Sequence, residues 1–204
     1  MKKTVCLFLT AALALALCAC GAAPAPAAPT SAPAEAPVSQ SLRHAEITVR
    51  GYGTIRLELY ADLAPITVEN FCALAESGFY DGLTFHRIMD GFMIQGGDPL
   101  GNGTGGAEKT IKGEFALNGV DNPTSHVKGV ISMARAQDPD SASSQFFITV
   151  ADATFLDGAY AAFGRVTEGM DLAEQIARDA RPTDNNGTIP PADQPVIESI
   201  VITD

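Results

Sequence analysis

The chain has 204 residues, of which 46% are hydrophobic, and it carries a formal net charge of −11 at pH 7. This acidic balance repels phosphate backbones and anionic headgroups, which argues against nucleic-acid binding and against lipid binding by the domain surface. The length accommodates one ordinary domain together with targeting and linker sequence.

Residues 1–19 have the features of a bacterial export signal. Met1-Lys2-Lys3 is a short basic segment, and the apolar run over 5–17 is too short to span a bilayer comfortably. The run ends in Leu17-Cys18-Ala19-Cys20-Gly21, which resembles a bacterial lipoprotein cleavage box. That resemblance implies cleavage behind Ala19, lipidation of Cys20 and a location in the cell membrane or envelope, outside the cytoplasm. The alternative, an ordinary secretory signal with incidental cysteines, also predicts export.

The segment 20–42 follows the predicted cleavage point and is rich in Ala, Pro and Ser. Such a composition cannot build a core, and its prolines favour an extended chain. We interpret it as a disordered tether between the lipidated cysteine and a domain over 43–204, although a segment without any role predicts the same conformation. Attachment to the membrane would depend on the acyl chains, since no polybasic patch assists.

The cysteines predict no structural disulfide. Cys6 and Cys18 belong to the signal, Cys20 is assigned to the lipid, and only Cys72 remains in the domain. Cys72 has helical spacing with Val68, so we expect it to be a small buried hydrophobic residue.

The domain is predicted to contain many short strands and two helices. A hairpin over 45–50 and 54–60 surrounds two turn glycines, and a helix over 65–77 follows, with proline in its first turn and glycine just past its end. The other predicted elements are strands over 83–88, 92–95, 130–134, 145–150, 161–166 and 196–203 and a helix over 170–180. This order favours a closed antiparallel barrel over alternating βαβ units.

The most informative stretch runs from Phe85 to Asp98 and has the sequence FHRIMDGFMIQGGD. On an alternating strand Phe85 and Arg87 point one way, so the Arg87 guanidinium lies among apolar groups. A cation there is costly unless it is paired or used. His86 points the opposite way on the same strand, and we expect it to be a packed or hydrogen-bonded structural residue.

A second aromatic block, SQFFI at 144–148, completes a pattern that resembles the cyclophilin-type peptidyl-prolyl isomerases. The similarity extends from residue 44 to the C-terminus and includes GFYDG at 78–82, GNGTGG at 101–106, SMA at 132–134, LDG at 156–158 and FG at 163–164. It implies a mainly β fold, a closed eight-stranded antiparallel β-barrel capped by a helix at each end. It also implies catalysis of rotation about X-Pro peptide bonds.

The chemistry of that rotation explains the need for a cation. An X-Pro bond prefers trans by only ~0.5–1 kcal/mol yet crosses a barrier of ~18–20 kcal/mol. At the twisted transition state the lone pair of the proline nitrogen is localised and accepts a hydrogen bond, which the planar ground state cannot do. A donor placed there lowers the barrier selectively, and Arg87 is the expected donor because its charge persists at any physiological pH.

The resemblance also implies the substrate-binding residues. Those that would bury the proline ring are apolar: Phe92, Met93, Phe147 and Leu156. Gln95 would hold a substrate carbonyl, and the backbone at Ala134 and Arg135 would pair with the substrate as an extended strand, with Gln145 along the same groove.

Three positions depart from the best-known eukaryotic members of the family. Arg135 stands where many carry asparagine, Phe155 where a tryptophan is familiar, and Tyr160 where a histidine is. Because phenylalanine lacks the indole N–H that bonds cyclosporin in the family, we expect weakened cyclosporin inhibition with isomerisation retained.

Other chemistries are disfavoured. GxGxxG at 101–106 is not followed by the helix that a dinucleotide site requires, the serines over 141–144 lack a GxSxG elbow, and the three histidines are too far apart in sequence for a metal site. We therefore expect an isomerase without cofactor or metal, a monomer that acts on proline-containing unfolded polypeptides and assists folding of exported proteins. The alternative is a surface module that grips proline segments without relevant turnover, against which the retained Arg87 argues.

Overall fold

The computed structural model describes residues 42–204, so the predicted signal, the lipidation site Cys20 and nearly all of the predicted tether lie outside the described residues. Leu42, assigned to the end of the tether, is the first residue of a strand. Within the described part of the chain, no helix is both long enough and apolar enough to cross a membrane.

Eight strands and two α-helices form the domain, and each was predicted from the sequence to within a few residues at its ends. The strands are β1 (Leu42–Val49), β2 (Gly53–Tyr60), β3 (Phe85–Met89), β4 (Met93–Gly96), β5 (Val130–Met133), β6 (Phe146–Thr149), β7 (Ala162–Glu168) and β8 (Ile197–Ile202). The helices are α1 (Pro65–Glu76), which packs against β8, and α2 (Met170–Asp179), which packs against β2.

All strands belong to one antiparallel sheet in the order β3-β4-β6-β5-β7-β2-β1-β8. The sheet curls into a half-barrel, and the prediction of a closed barrel is wrong in this detail. The two edge strands meet only where β3 and β8 begin, at an isolated bridge between Thr84 and Val196. Three backbone hydrogen bonds flank this bridge: Gly82 N–H to Ile197 O, Ile197 N–H to Leu83 O and Phe85 N–H to Pro195 O, at 2.8–2.9 Å. Closure fails because the outer edge of β3 is already paired with the segment 187–189, through the bridge between Arg87 and Thr188.

The concave face of the sheet encloses the main hydrophobic core. Alternate residues of β1 and β2 point inward, and α1 contributes Phe71, whose ring lies 5.2–5.6 Å from the rings of Tyr80, Phe146 and Phe163. Cys72 is free and buried in this core, as predicted. The same alternation places every second residue of β4 and β6 on the opposite face, where the candidate site lies.

Candidate active site

A groove of about 340 Å³ crosses the face of the sheet that points away from the main core. Its lining includes Met93 and Gln95 of β4 and Phe147 of β6, whereas their neighbours Ile94 and Ile148 are buried in the main core. The period of two along each strand therefore separates side chains that stabilise the fold from side chains that are available to a ligand.

The groove brings together most of the side chains predicted for the site. The predicted residues that line it are Arg87, Phe92, Met93, Gln95, Ala134, Arg135, Phe147, Leu156 and Tyr160. Gln145 lines a smaller adjoining cavity that it shares with Gln95 and Arg135. Phe155 lines neither cavity; it is 74% exposed, and its ring lies against that of Phe92 with 5.5 Å between ring centres.

Arg87 is fixed in place without a carboxylate partner. Its Nε donates to Asn186 O at 2.8 Å and its Nη1 to Gln95 Oε1 at 3.1 Å, while Nη2 lies 3.4 Å from Met89 Sδ. None of the ion pairs among residues 42–204 includes it. Burial lowers the pKa of Arg87, with partial compensation from Tyr160 and Asp184, yet a guanidinium stays charged in proteins. The groove thus holds an oriented cation with donors left over for a substrate.

A chain of side-chain amides continues from this cation. Gln95 Oε1 accepts from Arg87, so the amide nitrogen of Gln95 donates onward to Gln145 Oε1 at 2.9 Å, and Gln145 Nε2 donates to Gly105 O at 2.7 Å. Each amide is oriented by the one before it. The predicted role of Gln95 as holder of a substrate carbonyl uses the second N–H of its amide group.

The apolar end of the groove, which we call the apolar basin, consists of Phe92, Met93, Phe147 and Leu156. Met93 and Phe147 are 1% and 4% exposed, and they form a cluster separate from the main core. The Tyr160 ring meets Phe147 edge to face, with 6.0 Å between ring centres. A surface of this shape and chemistry suits a small aliphatic ring.

Behind the apolar basin lies a buried histidine, His126, for which no role was predicted from the sequence. The ring of His126 stacks on Phe147 at 6.1 Å, and its Nδ1 and Nε2 pair with Asp157 at 2.9 Å and Ser132 Oγ at 3.0 Å. Burial lowers the pKa of His126, partly offset by Asp157, so the ring is neutral at pH 7. The carboxylate then accepts from Nδ1–H, and Nε2 accepts from the Ser132 hydroxyl. His126 fixes the position of Phe147.

The side chain of Arg135 packs against neighbouring residues of the domain. Its Nε and Nη2 donate to Ala159 O at 3.0 and 2.8 Å, and its guanidinium carbon lies 5.1 Å from the Phe115 ring centre and 4.7 Å from that of Tyr160. The backbone contact of this position with substrate stays a prediction. The neighbouring Ala134 N–H is already donated to Gln145 O at 2.9 Å.

A buried carboxylate shapes the glycine-rich loop over 101–106. Asp98 is 1% exposed and accepts the backbone N–H groups of Leu100, Asn102 and Gly103 at 2.6–3.1 Å. Burial acts to raise the pKa of Asp98, but these hydrogen bonds outweigh it and the pKa is lowered. Two of the loop's own amides, those of Asn102 and Gly103, are therefore already hydrogen-bonded to a side chain.

The opposite end of the groove is polar and was largely missed by the sequence argument. We call it the polar lobe; it is lined by His86, Asn102, Gly103, Thr104, Asn186 and Thr188. Phe85 and Arg87 were expected to share a face of β3, with His86 on the other face. Both expectations are wrong, because β3 contains a bulge and Phe85 is buried in the main core while His86 and Arg87 line the groove. Phe85 pairs with Gly96 and Arg87 with Gln95, so His86 is an extra residue on β3. A bulge re-aims side chains, and both neighbours reach the groove.

Comparison with known proteins relates these features to a family. The family model described as cyclophilin type peptidyl-prolyl cis-trans isomerase/CLD matches residues 44–203. Peptidyl-prolyl cis-trans isomerase B of Bacillus subtilis is 48% identical over 123 residues, which cover 60% of this chain and 82% of that protein. A peptidyl-prolyl cis-trans isomerase-like 1 protein of Rhizopus delemar is 45% identical over 137 residues, covering 67% of this chain and 81% of the relative.

A solved structure extends the similarity to three dimensions. The cyclophilin type peptidyl-prolyl cis-trans isomerase of Cryptosporidium parvum, crystallised in the presence of the dipeptide Ala-Pro, superposes with a TM-score of 0.69 at 31% identity. The superposition covers 79% of this chain and 99% of that chain. The likeness therefore spans the whole of that structure, both the sheet and the elements around it.

Proposed function

Because the chain belongs to the cyclophilin-type peptidyl-prolyl cis-trans isomerases and is an enzyme of that family, we propose that Arg87 is the residue that lowers the rotational barrier of its X-Pro substrates. The observation that carries this proposal is the fixed position of the guanidinium, held by Asn186 O and Gln95 Oε1 beside the apolar basin. A proline ring in the basin would present its nitrogen to this cation.

The geometry suits selective stabilisation of the transition state. The guanidinium is oriented before substrate arrives, so little reorganisation is needed as the lone pair localises on the proline nitrogen. Its charge is not neutralised by a carboxylate of the described residues, so its donors keep their full strength. The proline side chain meanwhile gains apolar contacts in both the ground state and the transition state, which contributes to binding more than to rate.

The test is the exchange rate of an X-Pro peptide, measured by NMR on the wild type and on Arg87→Ala. The variant should lose ~10²–10³ in catalysed rate, the effect of removing one transition-state donor. Arg87→Lys keeps the charge without the planar fork and should recover only part of the loss. Arg165→Ala, which removes a surface arginine paired with Glu58, is the matched control and should retain full activity. Wild-type activity in Arg87→Ala would refute the role.

The alternative function is a binding module in which turnover is irrelevant. Arg87→Ala separates the two, because the variant should still bind proline peptides in the apolar basin while catalysing poorly. If this variant restores the phenotype of a deletion strain as well as the wild type does, binding is the relevant activity. Failure to restore it, with peptide affinity retained, supports catalysis.

We also propose that the enzyme is a monomeric lipoprotein that acts outside the cytoplasm on exported, unfolded clients. Export and lipid attachment are supported by the basic start, the short apolar run and the cysteine box that contains Cys20. In cells supplied with a labelled fatty acid, Cys20→Ser should abolish labelling and membrane association. Cys18→Ser, two residues away, is the matched control and should keep both. Labelling that survives in Cys20→Ser would contradict the anchor.

A further inference from the structure

The groove is positively charged although the protein is strongly acidic. The chain has 24 aspartates and glutamates against 13 lysines and arginines. Arg87 and Arg135 both line the groove, and no aspartate or glutamate lines either the groove or the adjoining cavity. Asp184, which partly offsets the effect of burial on the pKa of Arg87, also lies outside both linings. A cleft lined by charge of one sign attracts ligands of the opposite sign.

The charge of Arg135 is not neutralised by an ion pair within the described domain. Among residues 42–204 the lysines and arginines with a carboxylate partner are Arg43, Arg50, Arg56, Lys128, Arg165 and Arg178. The carboxylates closest to Arg135 in the sequence are hydrogen-bonded elsewhere. Asp138 Oδ1 accepts the Asp140 N–H at 2.9 Å, and Asp140 Oδ1 accepts the Gly113 N–H at 3.1 Å.

One N–H group of Arg135 remains without an acceptor. A guanidinium has five N–H donors. The Nε and Nη2 atoms of Arg135 each donate to Ala159 O, and Nη1 donates to Ala136 O and Gln137 O at 2.9 and 3.3 Å. These four bonds leave one N–H on Nη2. All the acceptors are neutral carbonyl groups, so the side chain keeps its full positive charge.

The guanidinium of Arg135 is also held in place before any ligand arrives. It lies against the rings of Phe115 and Tyr160, and the hydrogen bonds to Ala159 O fix its orientation. A fixed cation loses little conformational entropy when it meets an anion. The anion that a polypeptide offers is the carboxylate of an aspartate or glutamate side chain, and guanidinium N–H groups form charge-assisted hydrogen bonds with carboxylates.

We infer that Arg135 is a specificity determinant that favours X-Pro substrates with an aspartate or glutamate within two residues of the proline. The inference rests on the proposed function, because the proline must occupy the apolar basin beside Arg87. A glutamate near the proline gains from the positive field of the groove, whereas a glutamine of nearly the same shape does not. Since specificity is a difference between two affinities, the enzyme would select clients with acidic residues around their prolines.

The test compares peptides that share one proline and differ at a single position, which holds either glutamate or glutamine. Each of the four positions within two residues of the proline is tested in turn. NMR exchange gives kcat/KM, and titration gives the dissociation constant. For at least one position we expect the wild type to prefer glutamate about fivefold at low ionic strength, the upper range for exposed charge pairs. The preference should nearly vanish at about 1 M salt, where charges are strongly screened.

Three substitutions assign the preference to Arg135. Arg135→Gln should bring the ratio of the two rates close to one, Arg135→Lys should retain most of the preference, and Arg135→Glu should make glutamine the preferred residue. The readout is the ratio of two rates within one variant, so a general loss of activity cancels. The matched control is Arg181→Gln, which changes the net charge equally. Arg181 also donates to backbone carbonyls, lines neither cavity and should show the wild-type ratio when replaced.

The same measurements contain the results that would overturn the inference. One is a wild-type enzyme that treats glutamate and glutamine alike at all four positions. Another is a preference that persists unchanged in Arg135→Gln, which would assign the selection to Arg87. A wild type that catalyses exchange of none of the peptides would instead refute the proposed function. The dissociation constants would still report on Arg135 in that case, so the two failures are distinguishable.

Discussion

The two ends of the groove each contain a buried histidine, and they differ in how completely those histidines are hydrogen-bonded. Behind the apolar basin, His126 has partners on both ring nitrogens, whereas in the polar lobe His86 has none among the described residues. Both rings are neutral because burial lowers their pKa values. The comparison distinguishes a histidine whose hydrogen-bonded ring packs against Phe147 from one whose ring nitrogens have no partner among the described residues.

The largest effect is expected from replacing His126, the histidine whose two ring nitrogens are both hydrogen-bonded. His126→Leu leaves Asp157 and the buried Ser132 hydroxyl without their ring partners and removes the support of Phe147. We expect the free energy of unfolding to fall by about 2–4 kcal/mol, measured by urea denaturation. His86→Leu should leave stability unchanged or raised, since it removes an unpaired polar group. Equal destabilisation by both substitutions would remove the distinction.

The pH dependence of the free energy of unfolding tests the same two histidines, His86 and His126, and its expected effect is smaller. Both folded pKa values lie below the ordinary value of 6.5, so the unfolded chain binds protons that the folded chain does not. Stability therefore falls as the pH drops below about 6.5 and continues to fall until the folded pKa values are passed. The carboxylates with lowered pKa, such as Asp98, act only at more acidic pH, around and below about 4.

The measurement is urea denaturation at a series of pH values between 7.5 and 4.5, compared across variants. The slope of stability against pH should become shallower in His86→Leu and in His126→Leu, and shallowest when both are replaced. A slope that is unaffected by either substitution would show that the histidines have the same pKa in the folded and the unfolded chain.

A smaller effect is expected from the chain of side-chain amides that runs from Arg87 to Gly105. Gln145→Leu removes the acceptor of Gln95 and the donor to Gly105, so the Gln95 amide loses its orientation. We expect kcat/KM for an X-Pro peptide to fall about tenfold, the value of roughly one hydrogen bond, with Arg87 still in place. Gln145→Glu retains the acceptor and should recover most of this loss. Full activity in Gln145→Leu would show that Gln95 is oriented by Arg87 alone.

The sequence predicted the elements of the fold well because their signals are local. Alternation in β1 and β2, and the proline and glycine that bracket α1, are periodic or positional patterns that do not depend on distant residues. Closure of the barrel was predicted wrongly, because it depends on pairing between β3 and β8, which lie far apart in the sequence. The segment 187–189 pairs with the outer edge of β3, and no local sequence pattern predicts this pairing.

The candidate site likewise contains residues that local patterns predict and residues that depend on the tertiary structure. The residues of the apolar basin follow from strand alternation and from the family resemblance, and Arg87 follows from a cation placed among apolar groups. His86 could not be assigned correctly, because one extra residue in β3 reverses the face on which its side chain lies. The support of Phe147 by His126 and Asp157 joins residues 31 positions apart, and only the tertiary structure brings them together.

The smallest effect concerns the rim of the apolar basin, where Phe155 is exposed against Phe92. The family resemblance implies that a tryptophan N–H bonds cyclosporin at this position, and phenylalanine supplies the same ring surface without that donor. Phe155→Trp should therefore tighten cyclosporin inhibition by roughly 2- to 10-fold, the value of one neutral hydrogen bond, while kcat/KM changes little. Phe155→Leu, which offers neither ring nor donor, is the matched comparison.

If Phe155→Trp leaves inhibition unchanged, the weakened cyclosporin binding has its cause elsewhere in the groove. Tyr160 and Arg135 are the remaining departures from the family pattern. In that case the shape of the apolar basin, and not a missing hydrogen-bond donor, would limit the binding of cyclosporin.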